Sequence, residues 1–141
     1  MSADRDSSVL FAAATAARDR AYAPYSRFPV GAAILTPDGR IFTGCNVENA
    51  AYPVGTCAEA GAIAAMVAGG GDAIAEILVV GEGEAALAPC GACRQRIREF
   101  ARPETVVHLA GASGAARTMT VDDLLPEAFG PDALRDVSGP G

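Results

Sequence analysis

The chain has 141 residues, of which 50% are apolar and 20% charged, with a formal net charge of -6. That size suits one domain around one core, and no apolar run approaches the roughly 18 residues of a membrane-crossing helix, so no membrane partner is expected. The acidic balance lacks the clustered Lys and Arg that a phosphate backbone attracts, which argues against nucleic acid and for a free small molecule as the partner.

From about Asp6 to Tyr22 the sequence is Ala-rich, with Val9, Leu10, Ala13, Ala17 and Arg20 at helical spacing, and Pro24 marks its end. The apolar stretch from Val9 to Ala17 follows Asp4, Arg5 and Asp6 and so lacks the basic flank of an export signal, which makes it a first helix in a cytoplasmic protein. Pro29 to Thr36 is apolar and partly β-branched, Pro37-Asp38-Gly39 supplies turn chemistry, and Arg40 to Val47 alternates back, the pattern of a hairpin. A second helix is predicted over Cys57 to Ala68, stopped by Gly69-Gly70-Gly71. Ile77 to Val80 reads as a strand buried on both faces, and Cys90 to Ala101 as a third helix with Ile97 and Phe100 on its apolar side. Short strands at about Thr105 to Leu109 and Arg117 to Val121 follow, then short helices at Asp122 to Leu125 and Pro131 to Leu134. The order predicts one α/β layered domain over 1–141, with later strands able to run parallel through helical crossovers and a flexible tail from about 136 to 141.

Four cysteines in a chain without an export signal point to a reducing compartment, where metal or redox use is favoured over disulfides. Cys57 opens the second helix, and Cys90 and Cys93 flank the first turn of the third. Right-handed crossovers bring helix N-termini on one face to the same edge of the sheet, so these thiols are expected to converge. Helix N-termini favour thiolates, and three cysteine ligands with an open fourth position describe a catalytic zinc site, whereas four would close it. Glu59 lies on the same turn as Cys57, where a carboxylate could move protons beside the metal without binding it. Each residue has a plainer reading. Thr56-x-x-Glu59 matches a helix-capping box, Cys90-Gly91-Ala92-Cys93 matches a redox dithiol, and Cys45 could close the metal site as a fourth ligand.

Five segments carry a resemblance: Tyr25 to Ala33 (YSRFPVGAA), Gly44 to Ala50 (GCNVENA), Thr56 to Glu59 (TCAE), Pro89 to Gln95 (PCGACRQ) and Leu124 to Pro131 (LLPEAFGP). Over nearly its whole length the chain resembles the small, zinc-dependent cytidine deaminases whose metal ligands are all cysteine. The resemblance implies a three-layer α-β-α fold with a five-stranded mixed sheet, a homotetramer, and one Zn2+ per subunit held by Cys57, Cys90 and Cys93. It implies Glu59 as proton carrier, Phe28 packed on the pyrimidine, Asn46 and Glu48 hydrogen-bonded to the ribose, and the Ala58 backbone holding the base. Phe129 of a neighbouring subunit would close the pocket. Without the resemblance, Phe28 reads as core, and Asn46 and Glu48 as polar groups of a turn.

The implied reaction is hydrolysis of cytidine and 2'-deoxycytidine to the uracil nucleosides and ammonia, a step of pyrimidine salvage. One departure stands out: family members commonly carry Arg immediately after the catalytic Glu, where it offsets thiolate charge, and this chain has Ala60. Three thiolates on a divalent zinc leave a net charge of -1, so the helix dipoles would have to supply more of the compensation. Ala at that position also occurs in deaminases of a cytosine-nucleoside antibiotic such as blasticidin, which is the competing substrate. The alternative of another class is a non-catalytic binding protein stabilised by a four-cysteine zinc site.

Overall fold

The computed structural model describes residues 3–114 and 116–138. Its elements are α1 (Ala3–Arg18), β1 (Gly31–Leu35), β2 (Ile41–Cys45), α2 (Ala58–Ala68), β3 (Glu76–Val80), α3 (Gly91–Phe100), β4 (Val106–Ala110), β5 (Ala116–Thr120), α4 (Val121–Leu124) and α5 (Pro131–Ser138), with a 3-10 turn at Tyr52–Val54. The five strands form one mixed sheet in the order β2-β1-β3-β4-β5. Strand periodicity sorts the core into two layers. Ala32 and Ile34, Ile77 and Val79, and Val107 and Leu109 face α2 and α3, meeting Ala62, Ile63, Met66 and Ile97. The alternate positions Ala33, Leu78, Val80 and Ala110 face α1 through Leu10 and Ala14. This is the expected three-layer α-β-α arrangement, and among the described residues no helix is long and apolar enough to cross a membrane.

Several expectations are corrected. Helix α1 ends at Arg18 rather than Tyr22, because the Tyr22 backbone is taken by the neighbouring loop: its N–H donates to the Asn46 carbonyl at 3.0 Å and its carbonyl accepts from the Glu48 N–H at 2.8 Å. Val9, expected on the apolar stripe, faces outward. Of the later strands, β3 and β4 do run parallel, as expected, whereas β5 joins β4 antiparallel and β1 joins β3 antiparallel. Helix α5 continues past Leu134 to Ser138, and the rest of the expected tail, 139–141, lies outside the described residues. Helix α2 does stop at the glycines: the Gly70 N–H bonds the Val67 carbonyl and the Gly71 N–H the Met66 carbonyl, with Gly70 at φ +88, a conformation that favours glycine.

Register places the site. Gly31 pairs with both Cys45 and Val80, and Val80 with Ala110, so the start of β1 and the ends of β2, β3 and β4 share one edge of the sheet. The segment before β1, the loop after β2 and the loop after β3 therefore open side by side. Gly44 on β2 allows α2 to lie against the sheet there: a Cβ at this position would stand 2.2 Å from the Ala62 nitrogen and 2.4 Å from the Ala58 carbonyl oxygen.

Candidate metal centre and catalytic site

The cysteines occupy the helix starts with one refinement. Cys57 and Cys90 are N-caps, extended in backbone conformation, and their carbonyls accept the first intrahelical bonds from Gly61 and Arg94. Neither sulfur is tied to its helix by a full cap hydrogen bond, and the two face each other. Cys93 lies inside the first turn of α3 and is fully buried. The three Sγ atoms lie within 4.8 Å of one another, with Cys57 and Cys90 4.0 Å apart. A tetrahedral zinc with Zn–S bonds of about 2.3 Å spaces its sulfurs by about 3.8 Å, so the donor set and spacing fit this metal. Among the described residues Cys45 is not part of the cluster, so the four-cysteine closed site is not formed.

Glu59 follows on the first turn of α2, 4% exposed. Burial pushes its carboxyl above the ordinary carboxylate range, against the pull of its own backbone N–H, the Cys93 thiol and the Arg96 guanidinium. The capping-box reading fails, because Cys57 and not Thr56 is the N-cap, and Thr56 is engaged in a backbone bridge to Val47. Burial likewise raises the thiols of Cys57 and Cys93, and the Glu59 carboxyl beside them adds to it. At Cys90 desolvation is outweighed by the Cys93 backbone N–H and the thiols of Cys93 and Cys57, and the thiol is lowered.

A cavity of about 410 Å³ opens beside this cluster, lined by Cys57, Cys90, Glu59 and Ala58 and also by Phe28, Asn46 and Glu48. Sequence-predicted residues from four segments thus meet in one place. Asn46 and Glu48 also hold the loop that carries Phe28. The Val30 N–H donates to Asn46 Oδ1 at 2.8 Å, and Asn46 Nδ2 donates to the Phe28 carbonyl at 3.0 Å. Glu48 Oε1 accepts from the Tyr25 and Ser26 N–H groups at 3.0 Å each, and the Ser26 hydroxyl donates to Oε2. These bonds, the Ser26 hydroxyl foremost, hold the Glu48 carboxyl below its ordinary value.

Phe129 is absent from the lining and 60% exposed, its carbonyl held by Gln95 Nε2 at 2.8 Å. Sequence reasoning missed Leu87 and Tyr52, which also line the cavity, and Arg94, whose guanidinium ties the Pro89 and Leu124 carbonyls at 2.9 Å each. Nothing in local pattern marks Leu87 or Tyr52, whereas an Arg directly after a buried cysteine is a visible signal.

Comparison with known proteins agrees with this geometry. The family described as the cytidine and deoxycytidylate deaminase zinc-binding region matches residues 4–109. A cytidine deaminase of Sporosarcina psychrophila is 45% identical over 125 residues, 89% of this chain and 92% of the relative. One from Mycobacterium tuberculosis is 45% identical over 132 residues, 93% of this chain and 95% of the relative. The crystal structure of a cytidine deaminase from Burkholderia pseudomallei superposes with a TM-score of 0.84 at 47% identity, covering 92% of this chain and all of that one.

Proposed function

The chain belongs to the family of cytidine and deoxycytidylate deaminases, and from that premise we propose that it hydrolyses cytidine and 2'-deoxycytidine to uridine and 2'-deoxyuridine with release of ammonia, in pyrimidine salvage. One observation carries the reading: three sulfurs lie close together, and two of them, with a buried carboxyl, line a single cavity that an aromatic ring and two polar side chains also line. Cys57, Cys90 and Cys93 hold the zinc, which when bound supplies the Lewis acidity that makes water a nucleophile near neutral pH. The Glu59 carboxylate takes one proton of the attacking water and delivers it to ring N3, then takes the second from the hydroxyl formed at C4 and passes it to the departing amino group. The Phe28 ring covers the base, the Ala58 backbone receives its polar edge, and Asn46 and Glu48 meet the sugar hydroxyls.

The assembly is a homotetramer in this reading, and exposed Phe129 reaches the pocket of a neighbouring subunit. The test is ammonia release from cytidine, 2'-deoxycytidine, blasticidin and free cytosine, on protein whose zinc has been counted. Turnover of both nucleosides well ahead of the other two is expected. Turnover of blasticidin alone overturns the substrate assignment, and none with one zinc per chain overturns the enzyme reading.

A further inference from the structure

The three metal-binding sulfurs do not stand in equivalent surroundings. Cys57 and Cys90 are N-caps, at the positive ends of α2 and α3, whereas Cys93 lies within the helix turn and is fully buried. Three thiolates and one divalent zinc sum to -1, and Glu59, also buried, adds a second negative charge whenever it is ionised. A buried surplus of this kind needs a nearby cation. Ala60 follows Glu59 and carries none. Arg94 is committed to the Pro89 and Leu124 carbonyls, and Arg98 bonds the Ala101 carbonyl. Arg96, one turn after Cys93 on α3, extends from the exposed face of the helix and places Nη1 3.4 Å from Cys93 Sγ.

We propose that Arg96 is a positioning residue of the metal centre, its guanidinium donating to Cys93 Sγ and offsetting the surplus negative charge of the three-thiolate site. The inference rests on the reading that Cys57, Cys90 and Cys93 hold zinc. A cation at this sulfur favours the metal-bound, anionic form of the cluster over the metal-free one and draws electron density from the thiolate. It adds a side-chain cation to the compensation expected from the helix dipoles.

The experiment compares wild type, Arg96→Gln and Arg96→Lys for zinc content, for the rate of zinc loss to a chromogenic chelator, and, after cobalt replacement, for the thiolate-to-metal charge-transfer band. Hydrogen-bond partners of metal ligands are worth roughly 10- to 100-fold in metal affinity, and because Arg96 is exposed we expect the lower end, about tenfold faster loss from the Gln variant. Its charge-transfer band moves to lower energy as the sulfur becomes more electron-rich, and the Lys variant falls between. Arg96→Ala repeats the test should the Gln variant not fold, since Ala is the best helix former at an exposed helix position. Zinc loss at the wild-type rate with an unshifted band makes Arg96 a surface arginine and overturns the inference. Wild type that binds no zinc overturns the metal reading itself, and this inference with it.

Discussion

Glu59→Gln keeps the side chain's length on the first turn of α2 and removes only its capacity to accept and return a proton. The site leaves little room for a substitute: Glu59 is 4% exposed, so bulk water does not reach its position freely. General acid-base catalysis is typically worth about 10²- to 10⁴-fold. Because one carboxyl serves the water, N3 and the leaving amine in the proposed mechanism, the upper end is expected, about 10⁴-fold in kcat, or about 5 kcal/mol of barrier. Zinc content and inhibitor affinity should change little. The assay follows loss of cytidine absorbance on protein with counted metal, and a Gln variant that holds zinc and deaminates within a few-fold of wild type refutes the proton-carrier role. Stability gives a second, independent readout. A carboxyl whose folded pKa is raised by burial binds its proton more tightly folded than unfolded. In metal-free protein, wild type should therefore lose stability relative to the Gln variant as pH rises from the ordinary value of 4.5 toward neutral, and parallel pH profiles would contradict the burial argument.

Cys57→Ala, Cys90→Ala and Cys93→Ala should each lose zinc while Cys45→Ala retains it, as metal analysis would establish; equal loss from Cys45→Ala refutes the three-ligand site. Glu48→Gln should raise KM for cytidine roughly tenfold with smaller change in kcat, because it disturbs both the loop and the proposed sugar contact. The Glu48 carboxyl is held low in the folded state, so the stability it contributes is present above the ordinary value of 4.5 and lost as pH falls through its lowered one. The gap between wild type and Glu48→Gln in urea melts should accordingly close in acid. Gly44→Ala forces a Cβ to within 2.2 Å of the Ala62 nitrogen and should cost about 1 to 3 kcal/mol in urea unfolding, with zinc loss accelerated as α2 is pushed from the sheet.

The elements legible in the sequence are those whose cause is local. The hairpin around Pro37-Asp38-Gly39 and the glycine stop of α2 follow from turn and cap chemistry, and both cysteine-bearing helix starts fall within one residue of their predicted places. Pairing direction is decided by partners far along the chain, so the antiparallel β1–β3 register was not readable from either strand alone. The same holds for the end of α1, where Tyr22 is drawn away by hydrogen bonds to residues 24 and 26 positions later. The Thr56-x-x-Glu59 pattern, the plainer alternative for Glu59, fails for a related reason: a bridge to Val47 extends the chain through Thr56 and passes the cap to Cys57. Arg96 carried no signal at all, because an arginine on a helix is usually a solvated one until its neighbour proves to be a buried sulfur.

Asn46 and Glu48 illustrate how a structural reading and a ligand reading need not compete. As turn polar groups they are already used: the Asn46 amide bonds the Phe28 carbonyl and the Val30 N–H, and Glu48 receives two backbone N–H groups and the Ser26 hydroxyl. An amide side chain has two donors and two acceptor sites, and an ionised carboxylate about four acceptor sites. After these bonds Asn46 retains one N–H and one lone pair, and Glu48 about one acceptor site, on side chains that line the cavity. A donor and acceptors left in fixed positions suit vicinal hydroxyl groups, each of which can give one hydrogen bond and receive others. The bonds that shape the loop thereby fix the direction of the ones left over, so the proposed sugar contacts need no rearrangement when a nucleoside enters. The Phe28 ring is placed by the same struts, so the proposed base-stacking surface and the proposed sugar contacts are set together by two residues that follow β2.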